Sequence, residues 1–219
     1  MIKEQKFSVQ RFFCKKKYKN WTGVFEEYTN FTDRYIRVYL DQYDEGGGDA
    51  PYWNNERTNI GMLAASCWAN GWVALEEFST EKTKEDRSNG TGRCDLWVSS
   101  QNGKENFAIE AKKGDSSLAS KDLISNLKKI LESACADAEN LREEEGDIRL
   151  GVAFMHLYLV KSKLDQTLEL VNNTISEIEK YSGNVDFTYV YLKDNGVTSD
   201  SGSIIPGVII VGRSIEKIS

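Results

Sequence analysis

Asp95, Glu110 and Lys112 are the residues whose types and spacing could do chemistry together. They lie on two runs patterned as strands, RCDLWVSS and KENFAIEAKK, joined by Gln101-Asn102-Gly103-Lys104. Asn-Gly between strands is a preferred two-residue hairpin turn, because both central positions need positive φ. Centred on Asn102 and Gly103, the hairpin sets Gln101 opposite Lys104, Trp97 opposite Ala108 and Asp95 opposite Glu110. Directly opposed residues point to the same face of a sheet. Alternation then adds Lys112 and its cross-strand partner Arg93 to that face. Leu96, Val98, Phe107, Ile109 and Ala111 make the other face an apolar one. A β-bulge would shift this register.

Two opposed carboxylates repel unless something intervenes. Hydrated Mg²⁺ suits the task, because it takes one or two carboxylates together with waters and substrate phosphate oxygens. Such a metal polarises a phosphodiester and lowers the pKa of its water. A lysine beside it can orient the attacking water or offset charge in the transition state. The same four charges could instead form a salt-bridge lattice on an exposed sheet face, with no chemistry at all.

The flanking elements must hold this hairpin in place. Residues 21–43 carry apolar and aromatic positions at three- and four-residue steps, which predicts a helix, with a break allowed near residues 29–32. DEGGGDAP follows as an acidic, glycine-rich linker. It divides a basic, aromatic N-terminal arm and helix (1–48) from a main domain (49–219). A second helix starts after Asn54 or Asn55, carries Glu56, Ile60, Leu63, Ala64 and Cys67 on one stripe, and ends near Asn70-Gly71. WVALEEF reads as a strand and STEKTKEDRSNGTG as a polar loop. After the hairpin, residues 116–141 read as a long amphipathic helix capped by Ser116 and Ser117. IRLGVAFMHLYLV reads as a buried central strand, about 163–181 as a helix, and DFTYVYL and SIIPGVIIVGR as closing strands. The order helix, three strands, helix, strand, helix, two strands implies an α/β (α+β) mixed sheet with helices on its faces.

The chain has 219 residues and a net charge of −6. Charge is unevenly placed: Lys3, Lys6, Arg11, Lys15, Lys16, Lys17 and Lys19 stand against Glu4 alone in the first twenty residues. Phe7, Phe12, Phe13, Tyr18 and Trp21 sit among them. Such a stretch can neutralise phosphates and stack on bases; it also fits a solvated arm whose aromatics pack on the domain. No apolar run reaches transmembrane length, and the N-terminus lacks the apolar core of a secretory signal. The four cysteines show no CxxC spacing and there is one His, His156. This disfavours a zinc cluster and favours a reducing, cytoplasmic setting.

Asp95 in GRCDLW and Glu110-Ala111-Lys112 in AIEAKK resemble the signature of the PD-(D/E)XK nuclease superfamily: an Asp on one strand and Glu-x-Lys on the next, framed by helices. Residues 54–160 match its core order of helix, three strands, helix, strand. The resemblance implies a restriction-endonuclease-like fold and dependence on Mg²⁺, with Mn²⁺ as a substitute. It implies Asp95 and Glu110 as metal ligands, the Ala111 carbonyl as a third, and Lys112 as the catalytic lysine. A further acidic residue on the preceding helix is common in the superfamily. Glu56 fits that place, with Glu77 as the competitor. Cys94 stands where the signature has Pro.

The implied activity is metal-dependent hydrolysis of phosphodiester bonds, with DNA the expected partner. A homodimer would suit the cutting of both strands of a duplex. Arg93, Lys113 and Lys121 are candidates for substrate contact, the last two near a helix start whose free N–H groups can cradle phosphate; each could equally be a solvated cation. His156, in an apolar strand, reads as a satisfied core histidine. Trp97 falls on the catalytic face by alternation, where it either packs on a helix or stacks on a base. Two rivals remain: a catalytically silent nucleic-acid-binding or assembly module on the same fold, and an interaction subunit that docks through its aromatic N-terminal helix.

Overall fold

The computed structural model describes residues 6–42, 49–83, 89–199 and 201–215, with backbone alone at 41, 42, 81–83, 89–91 and 143. Residues 43–48, which hold most of the acidic, glycine-rich linker, and residues 84–88 of the polar loop lie outside that description. The chain forms β1 (Ser8–Cys14), α1 (Trp21–Gln42), α2 (Glu56–Ala69), β2 (Val73–Thr83), β3 (Asn89–Ser99), β4 (Asn106–Ser117), α3 (Leu123–Glu139), β5 (Ile148–Leu159), α4 (Thr167–Ser182), β6 (Phe187–Lys193) and β7 (Ile204–Ile215). The strands make one mixed sheet in the order β1-β6-β7-β5-β4-β3-β2. Only β4 and β5 run parallel, with α3 as their crossover. Two apolar layers cover the sheet. α1 and α2 contribute Trp21, Phe25, Tyr28, Ile60 and Leu63 to one; α3 and α4 contribute Leu127, Leu131, Val171 and Ile178 to the other. Among the described residues no helix is long and apolar enough to cross a membrane.

Local chemistry explains most boundaries. Asn55 caps α2, its Oδ1 accepting from the Thr58 N–H at 2.9 Å. That helix stops where Gly71 takes a φ of +78°. α1 is unbroken across residues 29–32, because Tyr28 and Thr32 are buried and tie that turn to the core.

Three segments differ from expectation. Residues 8–14, expected as an arm, form an edge strand paired antiparallel with β6. The alternating Phe12 and Phe13 pack into opposite apolar layers, so both faces of the strand are held. α1 shares one core cluster with α2, on the other side of the expected division; Phe25 stacks on Tyr189 of β6 at 4.6 Å. Finally, β4 continues through Ser116 and Ser117, which pair with Leu157 and Tyr158. They are strand residues rather than helix caps, and α3 begins later, after Asp122. Ordered pairing with β5 satisfies backbone groups that helix propensity alone assigned elsewhere.

Candidate active site

The β3–β4 ladder has the register that the Asn-Gly turn predicts: Leu96 faces Ile109, Trp97 faces Ala108, Val98 faces Phe107 and Ser99 faces Asn106. The turn itself is longer than expected. Ser100 N–H donates to the Glu105 carbonyl at 2.9 Å, and Gly103 N–H to the Ser100 carbonyl at 2.8 Å. Gly103 takes a φ of +66° while Asn102 keeps a negative one. Asn102 acts through its side chain, which accepts from Lys104 N–H at 3.0 Å. The longer loop takes one residue from each strand end, so the register survives.

Beyond Leu96 and Ile109 the ladder stops, and the expected alternation fails there. Leu96 packs with Val98 and Ile109 toward α1 and α2. Cys94, two residues away, packs with Ala108 and Leu141 on the opposite side. β2 inverts at the same level: Glu76 approaches Gly61 of α2, whereas Phe78 packs against the Cys94 cluster. The inversion falls at Glu77, whose φ is +48°, and at Asp95; this pair drops out of a β2–β3 ladder that otherwise keeps its register. Matched irregularities on neighbouring strands turn both over without slipping either. Two expectations are corrected by this. Arg93 does not face Lys112; its Nη1 donates to Glu77 Oε2 at 2.9 Å. Nor does Asp95 pair with Glu110 in the ladder.

Asp95 instead turns into the gap left between the diverging strands. Its Oδ2 accepts the Ala111 N–H at 2.8 Å. Glu56, at the start of α2, reaches the same edge of β4, and its Oε2 accepts the Lys113 N–H at 3.0 Å. Two side-chain carboxylates thus take the donors that a continuing β3 would have taken. Because the N–H and C=O of one strand residue point to the same edge, the Ala111 carbonyl faces the gap too. Glu77, the competing acid, is held by Arg57 and Arg93.

Lys112 lies on the α3 face, its Nζ 2.6 Å from Asp137 Oδ2. Burial works against its charge, but the Asp137 contact, with Glu56 and Asp95, outweighs burial and raises its pKa. Lys112 is therefore a cation at neutral pH, suited to meeting negative charge rather than to accepting a proton. The Glu56 carboxyl is held above its ordinary value, by burial first and then by Asp95 and Asp137, against the pull of Lys112 and the Lys113 N–H. Glu110 is 2 % exposed. It stands beside the Cys94 thiol, which burial, and then the Glu110 charge, push up to about 12.

The remaining candidates are scattered. Lys113 has its Nζ 3.6 Å from Asp115 Oδ1. Lys121 is exposed in the turn before α3, and among the described residues no contact ties it to the gap. His156 is fully buried, as expected, but not satisfied. Its Nδ1 lies 3.3 Å from Asp115 Oδ1, yet neither ring nitrogen makes an aligned hydrogen bond. Asp137 was not among the expected residues. Its signal is weak: it flanks the inner stripe of α3 between Ala134 and Ala138, where a polar residue is usually a solvated one.

Among the described residues, no three His, Cys, Asp or Glu side chains converge closely enough to hold a metal ion together. The gap itself presents two carboxylates, Asp95 and Glu56, and one backbone carbonyl. An all-oxygen set of that size fits Mg²⁺, which keeps most of its waters and binds substrate phosphates. The Glu56 carboxyl is raised by burial first, and then by the charges of Asp95 and Asp137, the part that a bound cation would relieve. No family model, no curated protein and no solved structure matches the chain.

Proposed function

We propose that this chain is a metal-dependent nuclease of the PD-(D/E)XK type, hydrolysing phosphodiester bonds in nucleic acid, with DNA as the preferred substrate. The core would be α2, β2, β3, β4, α3 and β5, a restriction-endonuclease-like arrangement. One observation carries this: at the fork between β3 and β4, carboxylates from two elements crowd the edge of β4 beside a partly buried lysine.

Asp95, Glu110 and the Ala111 carbonyl would hold Mg²⁺ or Mn²⁺, with Glu56 completing the acidic rim. The bound metal would polarise the phosphodiester and lower the pKa of a water. Lys112 would do the rest from the chain's side. An ammonium has three donors; Asp137 takes one and sets the direction of the side chain. The others can meet a non-bridging phosphate oxygen as charge builds on it. Cleavage of plasmid and linear DNA with Mg²⁺ and Mn²⁺ tests this, comparing wild type with Glu110→Gln and Lys112→Ala. Wild type should cut and both variants should not. If wild type leaves every substrate intact across metals, the enzymatic assignment fails.

A second assignment has its own observation. Lys112 is already paired, and Asp95 and Glu56 already accept backbone donors, as in a site kept for structure alone. A silent nucleic-acid-binding module would bind DNA in a salt-sensitive way without cutting it, and Glu110→Gln would not change that binding.

A further inference from the structure

Glu77 takes a conformation that residues with a Cβ avoid. Its φ of +48° is the only positive one at a non-glycine among the described residues, and the left-handed region crowds Cβ against the backbone. Such strain persists where the surroundings hold it, and it gathers at functional sites. Two arginines hold Glu77. Arg57 of α2 donates from Nε and Nη2 to its Oε1, and Arg93 of β3 donates from Nη1 to its Oε2. Both arginines stay open, with side chains 68 % and 65 % exposed against 31 % for Glu77. A guanidinium has five N–H donors. Glu77 takes two from Arg57 and one from Arg93, and among the described residues neither has another partner. Ion pairs this exposed add little to a fold, so stability alone does not explain the strained strand.

The three residues stand at the gap. Glu77 lies between the pairs Glu76–Leu96 and Phe78–Cys94, level with Asp95. Arg57 follows Glu56 in α2, and Arg93 precedes Asp95 by two residues in β3. Each arginine is thus tethered next to one of the two acids that reach the edge of β4. Two guanidiniums on one carboxylate leave a net charge of +2 − 1 = +1. We infer that Arg57 and Arg93 form a clamp for a backbone phosphate beside the gap, with Glu77 as the positioning residue that aims both forks. Which phosphate it holds rests on the nuclease assignment, which makes it a neighbour of the scissile one. A planar guanidinium meets two phosphate oxygens with parallel N–H bonds. Two such forks, carried by different elements, hold the backbone from both sides. Contacts of this kind set register and orientation and carry no base information, so the clamp serves any sequence. Glu77 then organises substrate, and Asp95 and Glu56 are the acids left to the metal.

The test uses the full chain and two fluorescein-labelled DNA duplexes of unrelated sequence. Binding is read by anisotropy over a range of salt, in EDTA so that no cutting is needed. Arg57→Ala and Arg93→Ala should each weaken binding of both duplexes alike, about tenfold. Each should also lower the slope of log K against log salt by about 0.9. Arg57→Lys and Arg93→Lys should restore the slope but only part of the affinity, because a point charge replaces a fork. Lys104→Ala removes the same charge in the turn at the far end of the β3–β4 ladder and should change neither. Glu77→Gly relieves the left-handed residue, so it should melt at or above the wild-type temperature. It should nonetheless bind DNA more weakly, and raise KM for cleavage more than it lowers kcat. Unchanged affinity and slope in both alanine variants overturn the clamp, even if plasmid DNA is still cut. Losses that differ between the two duplexes overturn it as well. So does a Glu77→Gly that loses the rise in melting temperature with Mg²⁺, since Glu77 would then be a metal ligand. A wild type that shows these losses on substitution but cuts nothing with any metal keeps the clamp and removes the nuclease assignment alone.

Discussion

Asp186 and Glu56 are both carboxylates drawn into the body of the protein, and their surroundings push them in opposite directions. Asp186 sits between α4 and β6 with 3 % of its side chain exposed. Ser214 supplies its N–H at 2.6 Å and its hydroxyl at 2.5 Å. Tyr18 adds its hydroxyl at 3.2 Å and Lys15 its ammonium at 2.8 Å. Burial opposes this charge, but Lys15 and the Ser214 donors outweigh it, and the carboxyl titrates below its ordinary value. Glu56 is raised above its ordinary value by burial first; it has one backbone donor to offset that, and two acidic neighbours that add to it. A carboxylate that ties a fold together is surrounded by donors. One that is partly buried with few donors, near other acids and a single lysine, is expensive for the fold, and a bound cation would offset the share that comes from the acids.

The largest expected difference is in rate. Glu110→Gln and Lys112→Ala should each lower DNA cleavage about 10³-fold, the scale of losing one electrostatic contact to the transition state, while changes at Asp186 should act through stability. Asp186→Ala leaves the Tyr18, Ser214 and Lys15 groups without their acceptor. It should cost about 3 kcal/mol in urea unfolding; a loss under 1 kcal/mol would remove the contrast. Saturating Mg²⁺ should raise the melting temperature of wild type, by about 2.7 kcal/mol of stability at a hundredfold excess over Kd. It should do so far less in Asp95→Asn, with Asp186→Asn as the control that still responds.

The smallest effect is the most diagnostic. Glu56→Gln keeps an acceptor for the Lys113 N–H and removes the repulsion from Asp95 and Asp137. It should melt at the same temperature as wild type or slightly higher, while losing activity. A clear fall in stability would make Glu56 a structural acid like Asp186. The pH dependences also differ in sign. With its folded pKa depressed, Asp186 contributes stability that is present above its unfolded value near 3.9 and is lost as pH falls through the folded pKa. The folded pKa of Glu56 is raised, so stability declines as pH rises from its unfolded value near 4.3 through the folded one. Glu56→Gln should therefore gain on wild type as pH rises through that window and keep the gain above it.

Where local pattern and pairing agree, the structure follows the sequence closely. Asn102-Gly103 gives the right register through the wrong turn: parity, not loop length, decides which residues face each other. The stripe on α2 and the apolar run of β5 are buried as their periods require. The inversion at Glu77 and Asp95 was not legible, because nothing in LEEF or RCDL marks a left-handed residue other than glycine. Neither was Asp137, which reaches Lys112 across a helix–sheet interface that no local pattern encodes.

From the chain alone came the hairpin, the choice of Asp95, Glu110 and Lys112, and the order of elements around them, since turn chemistry and apolar periodicity act over a few residues. Tertiary structure alone decided that Asp95 turns to Ala111, that Glu56 rather than Glu77 shares the gap, and that Asp137 holds the lysine. Each of those contacts joins segments distant in sequence, and such a contact exists only once packing has placed α2 and α3 against β4.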